Sequence, residues 1–286
     1  MFGDAGDDKL SGGDGFDRLL GGGGPDVLNG GNYRDYLYNG PGNDKVFGGP
    51  DASPDELYLA FADAGGHDLF DGGKGSDVYV LGDERFRNWG HATISDSDAN
   101  PAPDQSVSSG DSISTSSGFP KDLTITLSPG PGPEVTDTQG TNTVEWSVPG
   151  EFYRVYGGSG DDTITGDGWR NVLFGGAGTN TMNGGGGNDN VIAEDNGGSL
   201  GGGAGNDFLD GYRDATLRGG DGNDHLLVEG DTRYGLPPDP TSNVGGGTSN
   251  DTIEALNGSP DTIDCGEGTD TVTFDAGMDT VTNCEP

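Results

Sequence analysis

Leu10, Leu19, Leu28, Leu37 and Val46 stand nine residues apart, and after small insertions the series runs on through Leu57, Phe70 and Tyr79. It resumes at Ile164, Leu173, Met182, Val191, Leu200, Leu209, Leu217 and Leu226, and again at Ile253, Ile263, Val272 and Val281. Polar and small residues separate these positions. One apolar residue in nine fits neither the period of an amphipathic helix, ~3.6 residues, nor a long alternating strand. The pattern predicts strands of about three residues, each turning one apolar side chain inward and joined by tight loops. Such a strand cannot form a core alone, so successive turns must stack into a solenoid in which each buries its neighbour.

The loops carry their own pattern. GGDGFDRLL at 12–20 is followed at once by GGGGPDVLN at 21–29, and variants recur as GGKGSDVYV at 72–80, GGSGDDTIT at 157–165, GGGGNDNVI at 184–192, GGAGNDFLD at 202–210 and GGDGNDHLL at 219–227. Glycines at positions one, two and four allow positive φ and a sharp turn. Position six then presents a carboxylate beside inward-pointing carbonyls, a hard-oxygen donor set that suits Ca²⁺.

These nonapeptides resemble the hemolysin-type calcium-binding family, the RTX repeats of secreted bacterial proteins. The resemblance covers blocks at 1–82, 157–228 and 245–286. It implies an all-β fold, a right-handed parallel β-roll (β-solenoid) in which two nonapeptides make one 18-residue turn, with calcium ions between loops two repeats apart. Carried over position by position, the implied ligands are Asp8, Asp17, Asp26, Asp35 and Asp44, then Asp55, Asp68 and Asp77 after the insertions. The second block gives Asp162, Asn171, Asn180, Asp189, Asp207 and Asp224, and the third Asp251, Asp261, Asp270 and Asp279.

Each ion needs two stacked loops, so spacing ranks the sites. Asp8 with Asp26, Asp17 with Asp35, Asp26 with Asp44, Asp189 with Asp207 and Asp261 with Asp279 are 18 apart, one full turn. Asp207 with Asp224 is 17 apart and Asp251 with Asp270 is 19 apart, and these rank second. Asp162 with Asn180 and Asn171 with Asp189 each lose one charge. Tyr33 and Trp169 replace the position-four glycine, Gly198 and Ala215 replace the acid, and those loops are expected to be metal-free.

Composition sharpens the reading. Apolar residues make up 29% of the chain, and 49 acids against 13 bases leave a formal net charge of −36. That balance favours disorder in an ordinary sequence. It excludes a nucleic-acid partner as the default, and no stretch approaches the ~18 apolar residues of a membrane span. Metal-free, the chain is expected to repel itself apart and to fold when calcium binds.

Cys265 and Cys284 take positions one and two of repeats one turn apart, so the roll implied by the resemblance places them on adjacent rungs. A strand spacing of ~4.8 Å falls within the Cα separation a disulfide needs. The ending IDCGEGTDTVTFDAGMDTVTNCEP looks like that of secreted actinobacterial members of the family, where such a pair clamps the last turn. A disulfide would fit an oxidising, extracellular compartment, which also supplies millimolar calcium. The chain begins inside a repeat with no signal peptide, as expected of a fragment, a miscalled start or a detached domain. These three remain open.

Between the repeat blocks, residues 83–156 read as an irregular β insertion, either degenerate rungs bulging from a continuous roll, which is favoured, or a small β module. Residues 229–244 read as a proline-rich surface insertion, and 245–286 as a terminal repeat block with the disulfide. His67, His91 and His225 are the only histidines, there is no HExxH, and Gly-Ser-Gly at 158–160 lies in a repeat loop rather than a strand-to-helix elbow. The chain is therefore expected not to be an enzyme. Calcium-responsive module of a secreted protein is the first functional reading. The alternatives are a surface adhesin or matrix protein whose insertions touch a ligand, the calcium-binding end of a secreted enzyme with its catalytic domain upstream, and a glycine-rich solenoid indifferent to calcium.

Overall fold

A computed structural model of the chain describes residues 1–59, 66–82, 91–94, 111–115, 123–127, 135–137, 143–146, 152–194, 197–229 and 241–284. Every regular element among them is a strand. The helical period is absent from the sequence, and glycine at three of nine positions would be costly in any helix. No helix of the described residues is long and apolar enough to cross a membrane. The chain is a parallel β-roll that divides into two compact units, Met1–Ser159 and Gly160–Pro286.

In the first unit, alternate strands go to opposite sheets. Lys9–Asp14, Val27–Asn32, Lys45–Gly49, His67–Gly73 and His91–Ile94 pair in that order, all parallel. Arg18–Leu20, Tyr36–Tyr38, Glu56–Leu59, Val78–Leu81, Asp111–Thr115 and Phe152–Gly158 form the second sheet, also parallel. The second unit repeats the arrangement. Its sheets run from Thr163–Thr165 to Thr280–Thr282 and from Val172–Gly176 to Thr271–Phe274, every internal pair parallel.

The segment 83–156 is more than bulging rungs. His91–Ile94, Asp111–Thr115 and Phe152–Gly158 do continue the roll, but Thr143–Trp146 pairs antiparallel with Val135–Asp137, which pairs antiparallel with Leu123–Thr126. Antiparallel neighbours need only a short turn where parallel ones need a crossover, and the intervening SPGPGPE is made of turn formers. Residues 230–240, the body of the proline-rich insertion, lie outside the described residues, as does Trp89.

Position eight is the core. Leu19, Leu37, Leu57, Tyr79, Ile113 and Val155 stack in register along one sheet of the first unit, each 0% exposed. Leu173, Val191, Leu209, Leu226 and Ile253 do the same in the second. The ladder fails only at its end: Val272 and Val281 are half-buried because no further rung covers them. Tyr79 keeps its hydroxyl satisfied inside the stack by accepting the Gly72 N–H at 2.8 Å. Leu209→Ala should cost about 2–5 kcal/mol, the range for emptying a well-packed leucine site. Thr181→Ala on the exposed face should change stability by less than ~0.5 kcal/mol. Urea melts at saturating calcium measure both, and equal effects would contradict the ladder.

Candidate metal centre

Each loop closes through its own glycines. Gly203 has φ 108°, and a Cβ there would collide with the Gly185 carbonyl of the rung below. Position two therefore admits a side chain only at a cost in strain and space. Tyr33, at position four, takes the left-handed backbone itself at φ 75°, so its loop keeps the common shape.

Position six ties rung to rung. The backbone N–H of each acid donates to Oδ1 of the corresponding residue one turn on. In the first unit one edge runs Asp8, Asp26, Asp44, Asp68 and the other Asp17, Asp35, Asp55, Asp77, with links of 2.7–2.9 Å. In the second unit one edge runs Asn171, Asp189, Asp207, Asp224, Asp251, Asp270. The opposite edge joins Asp162 to Asn180, and Asp261 to Asp279.

Spacings other than 18 turn out to be equally in register. Asp35 to Asp55 spans 20 residues, Asp44 to Asp68 spans 24, and Asp224 to Asp251 spans 27. Two position-six residues escape sequence reasoning. Asp111, 5% exposed, accepts the Asp77 N–H at 2.8 Å, and buried Ser242 donates its N–H to Asp261 Oδ1 at 2.8 Å. The available signal was a polar residue two places before a buried apolar one, Asp111 before Ile113 and Ser242 before Val244.

The second carboxylate oxygen carries the chemistry. Oδ2 of Asp8, Asp26, Asp35, Asp55, Asp189, Asp207, Asp224 and Asp251 is buried with no hydrogen-bond partner. A buried anionic oxygen left this way is expensive unless a cation or proton accompanies it. Each points into a cradle beside the position-one glycine. A Cβ on Gly12 would lie 2.6 Å from Asp17 Oδ2 and 2.5 Å from the carbonyl oxygen of Gly30 on the next rung. The same pairing of own carboxylate and next-rung carbonyl recurs at Gly30, Gly48, Gly184, Gly202, Gly219 and Gly246. A small hard cation matches a site lined by a carboxylate and a carbonyl and too tight for a methyl group, and the donor set fits Ca²⁺. Among the described residues no three His, Cys, Asp or Glu side chains converge, since the cradles draw on backbone carbonyls.

Burial drives Asp26, Asp35, Asp55, Asp189, Asp207, Asp224 and Asp251 upward in pKa, opposed by the N–H each accepts and, except at Asp207, reinforced by neighbouring carboxylates. Asp35 and Asp251 are pushed to about 6, Asp55 and Asp224 to about 7, and Asp189 to about 8.

At the far end Cys265 and Cys284 are joined in a disulfide, with Cα atoms 5.1 Å apart. Cys265 is fully buried, and its partner is half-buried.

The family model for the RTX calcium-binding nonapeptide repeat matches at 2–32, 20–52, 155–191, 200–226, 211–231 and 245–281. No curated protein matches the chain.

Proposed function

The chain belongs to the family of RTX calcium-binding nonapeptide repeats, and we propose that it is a calcium-gated folding module of a secreted protein, with many ions held between stacked loops. Calcium binding is the property of the repeat; the gating is our reading. The observation that carries it is the row of buried, partnerless Oδ2 atoms facing next-rung carbonyls. Asp8, Asp17, Asp26, Asp35, Asp55, Asp189, Asp207, Asp224 and Asp251 would hold ions through their carboxylates, beside carbonyls of position one, and Asp44 and Asp77, in register with them, would extend the two edges. The metal supplies positive charge that neutralises carboxylates the fold has taken out of water. The protein's own residues supply register, through the N–H to Oδ1 links, and the disulfide favours an oxidising compartment where calcium is plentiful.

In this reading the module performs no catalysis. Calorimetric titration of the metal-free full chain tests it: calcium should bind at several sites with a large coupled folding heat. Magnesium should substitute poorly, because it insists on near-octahedral geometry and surrenders water reluctantly. Absence of calcium binding at millimolar concentration would refute the proposal.

A further inference from the structure

We infer that from Asn180 onward the second unit is metallated along one edge only, its opposite edge having replaced each ion beyond Asp162 by local hydrogen bonds or methyl groups. The inference rests on the calcium reading above and concerns how that binding is distributed. On the acidic edge, Asp189, Asp207, Asp224 and Asp251 are 0–3% exposed. Each aims a partnerless Oδ2 at a glycine cradle closed by the carbonyl of the next rung.

Across the roll the same positions are built differently. Asn180 turns its amide nitrogen to within 2.5 Å of where a Gly175 Cβ would sit and donates it to the Gly176 carbonyl at 3.3 Å. One turn on, position six is Gly198 and position one is Ala193, whose buried methyl fills the place of the cradle. On the next rung the space beside Gly211 faces Leu217 Cδ1 at 2.5 Å and the Ala215 methyl at 2.9 Å. Ser242 follows, its hydroxyl given to the Arg213 carbonyl.

The two acids that do remain are already satisfied. Asp261 Oδ2 accepts the Asn257 side-chain amide at 2.8 Å, and Asp279 Oδ2 accepts the Asp275 N–H at 2.7 Å. A cation on this edge would meet amide protons, methyl groups or oxygens in use. Asp261 and Asp279 therefore match in register, as their 18-residue spacing implies, but lack the free oxygen that marks a site. The first unit makes the contrast, because Asp8 and Asp26 on one edge and Asp35 and Asp55 on the other all keep partnerless Oδ2 atoms.

Native mass spectrometry of the calcium-saturated full chain reads the distribution as an ion count. Asp207→Ala and Gly202→Ala should each lose at least one ion relative to the parent protein. Asp261→Ala and Asp279→Ala should lose none. Should Asp261→Ala fail to fold, Asp279→Ala decides, since its rung is tied to the roll by the Cys265–Cys284 bond. An ion lost from either of this second pair, or an unchanged count in both of the first, overturns one-sided metallation while leaving calcium binding intact. A parent protein that binds no calcium overturns both readings.

Discussion

In chelator at pH 8 the protein loses its parallel β structure, and millimolar calcium restores it in one cooperative transition. The expectation follows from opposing terms in the same rungs. Each nonapeptide buries one apolar side chain, a small return against the conformational entropy of ordering nine residues. Most also bury a carboxylate, in a chain whose formal charge is −36. The Oδ1 links satisfy one oxygen of that carboxylate, and in Asp26, Asp35, Asp55, Asp189, Asp207, Asp224 and Asp251 the other has no protein partner. An ion that binds only the stacked state adds its binding free energy to folding, and with many sites the contributions act together. Far-ultraviolet circular dichroism with and without chelator measures the change. A β spectrum that survives chelation at pH 8 would show that packing alone holds the roll.

Much of this was legible in the chain because the signal is periodic. Leu10 to Val46 and Asp8 to Asp44 keep a nine-residue register without error, and a register fixes both the stack of the core and the stack of the acids. What escaped reading did so for identifiable physical reasons. A rung is defined by its strand pairing, so extra residues in the sequence between Asp35 and Asp55, or between Asp224 and Asp251, leave the register untouched while destroying the spacing. Ser242 and Val244 make a rung with neither an acid nor an intact glycine pattern before them, because hydrogen bonding from Ser242 and one buried valine suffice. The antiparallel excursion at 123–146 has no nonapeptide signal, and alternation alone does not give strand direction. The satisfaction of Asp261 by Asn257, four residues away, depends on how the loop curls, which spacing does not encode.

Protons should stand in for calcium. In chelator, lowering the pH from 8 toward 4 should return β structure to the metal-free protein, the reverse of the acid denaturation usual for carboxylate-rich folds. The sign comes from the direction of the shifts. An aspartate in the unfolded chain titrates near ~3.9, whereas burial holds Asp35 and Asp251 at about 6, Asp55 and Asp224 at about 7, and Asp189 at about 8 in the folded, metal-free roll. The folded state thus binds more protons than the unfolded one throughout that window, and each proton taken up stabilises it. The stabilisation is complete below the unfolded value and is lost as pH rises through 6, 7 and 8. Acidification also removes the self-repulsion of the chain. Calcium should respond oppositely, its apparent affinity falling over the same window as protons compete for Oδ2. The measurement pairs urea melts in chelator with calcium titrations, both at half-unit steps from pH 8 to pH 5. A chelated protein whose stability is flat or falls on acidification would mean that the position-six carboxyls are not buried in the metal-free fold, and the account of why the roll needs a cation would go with them.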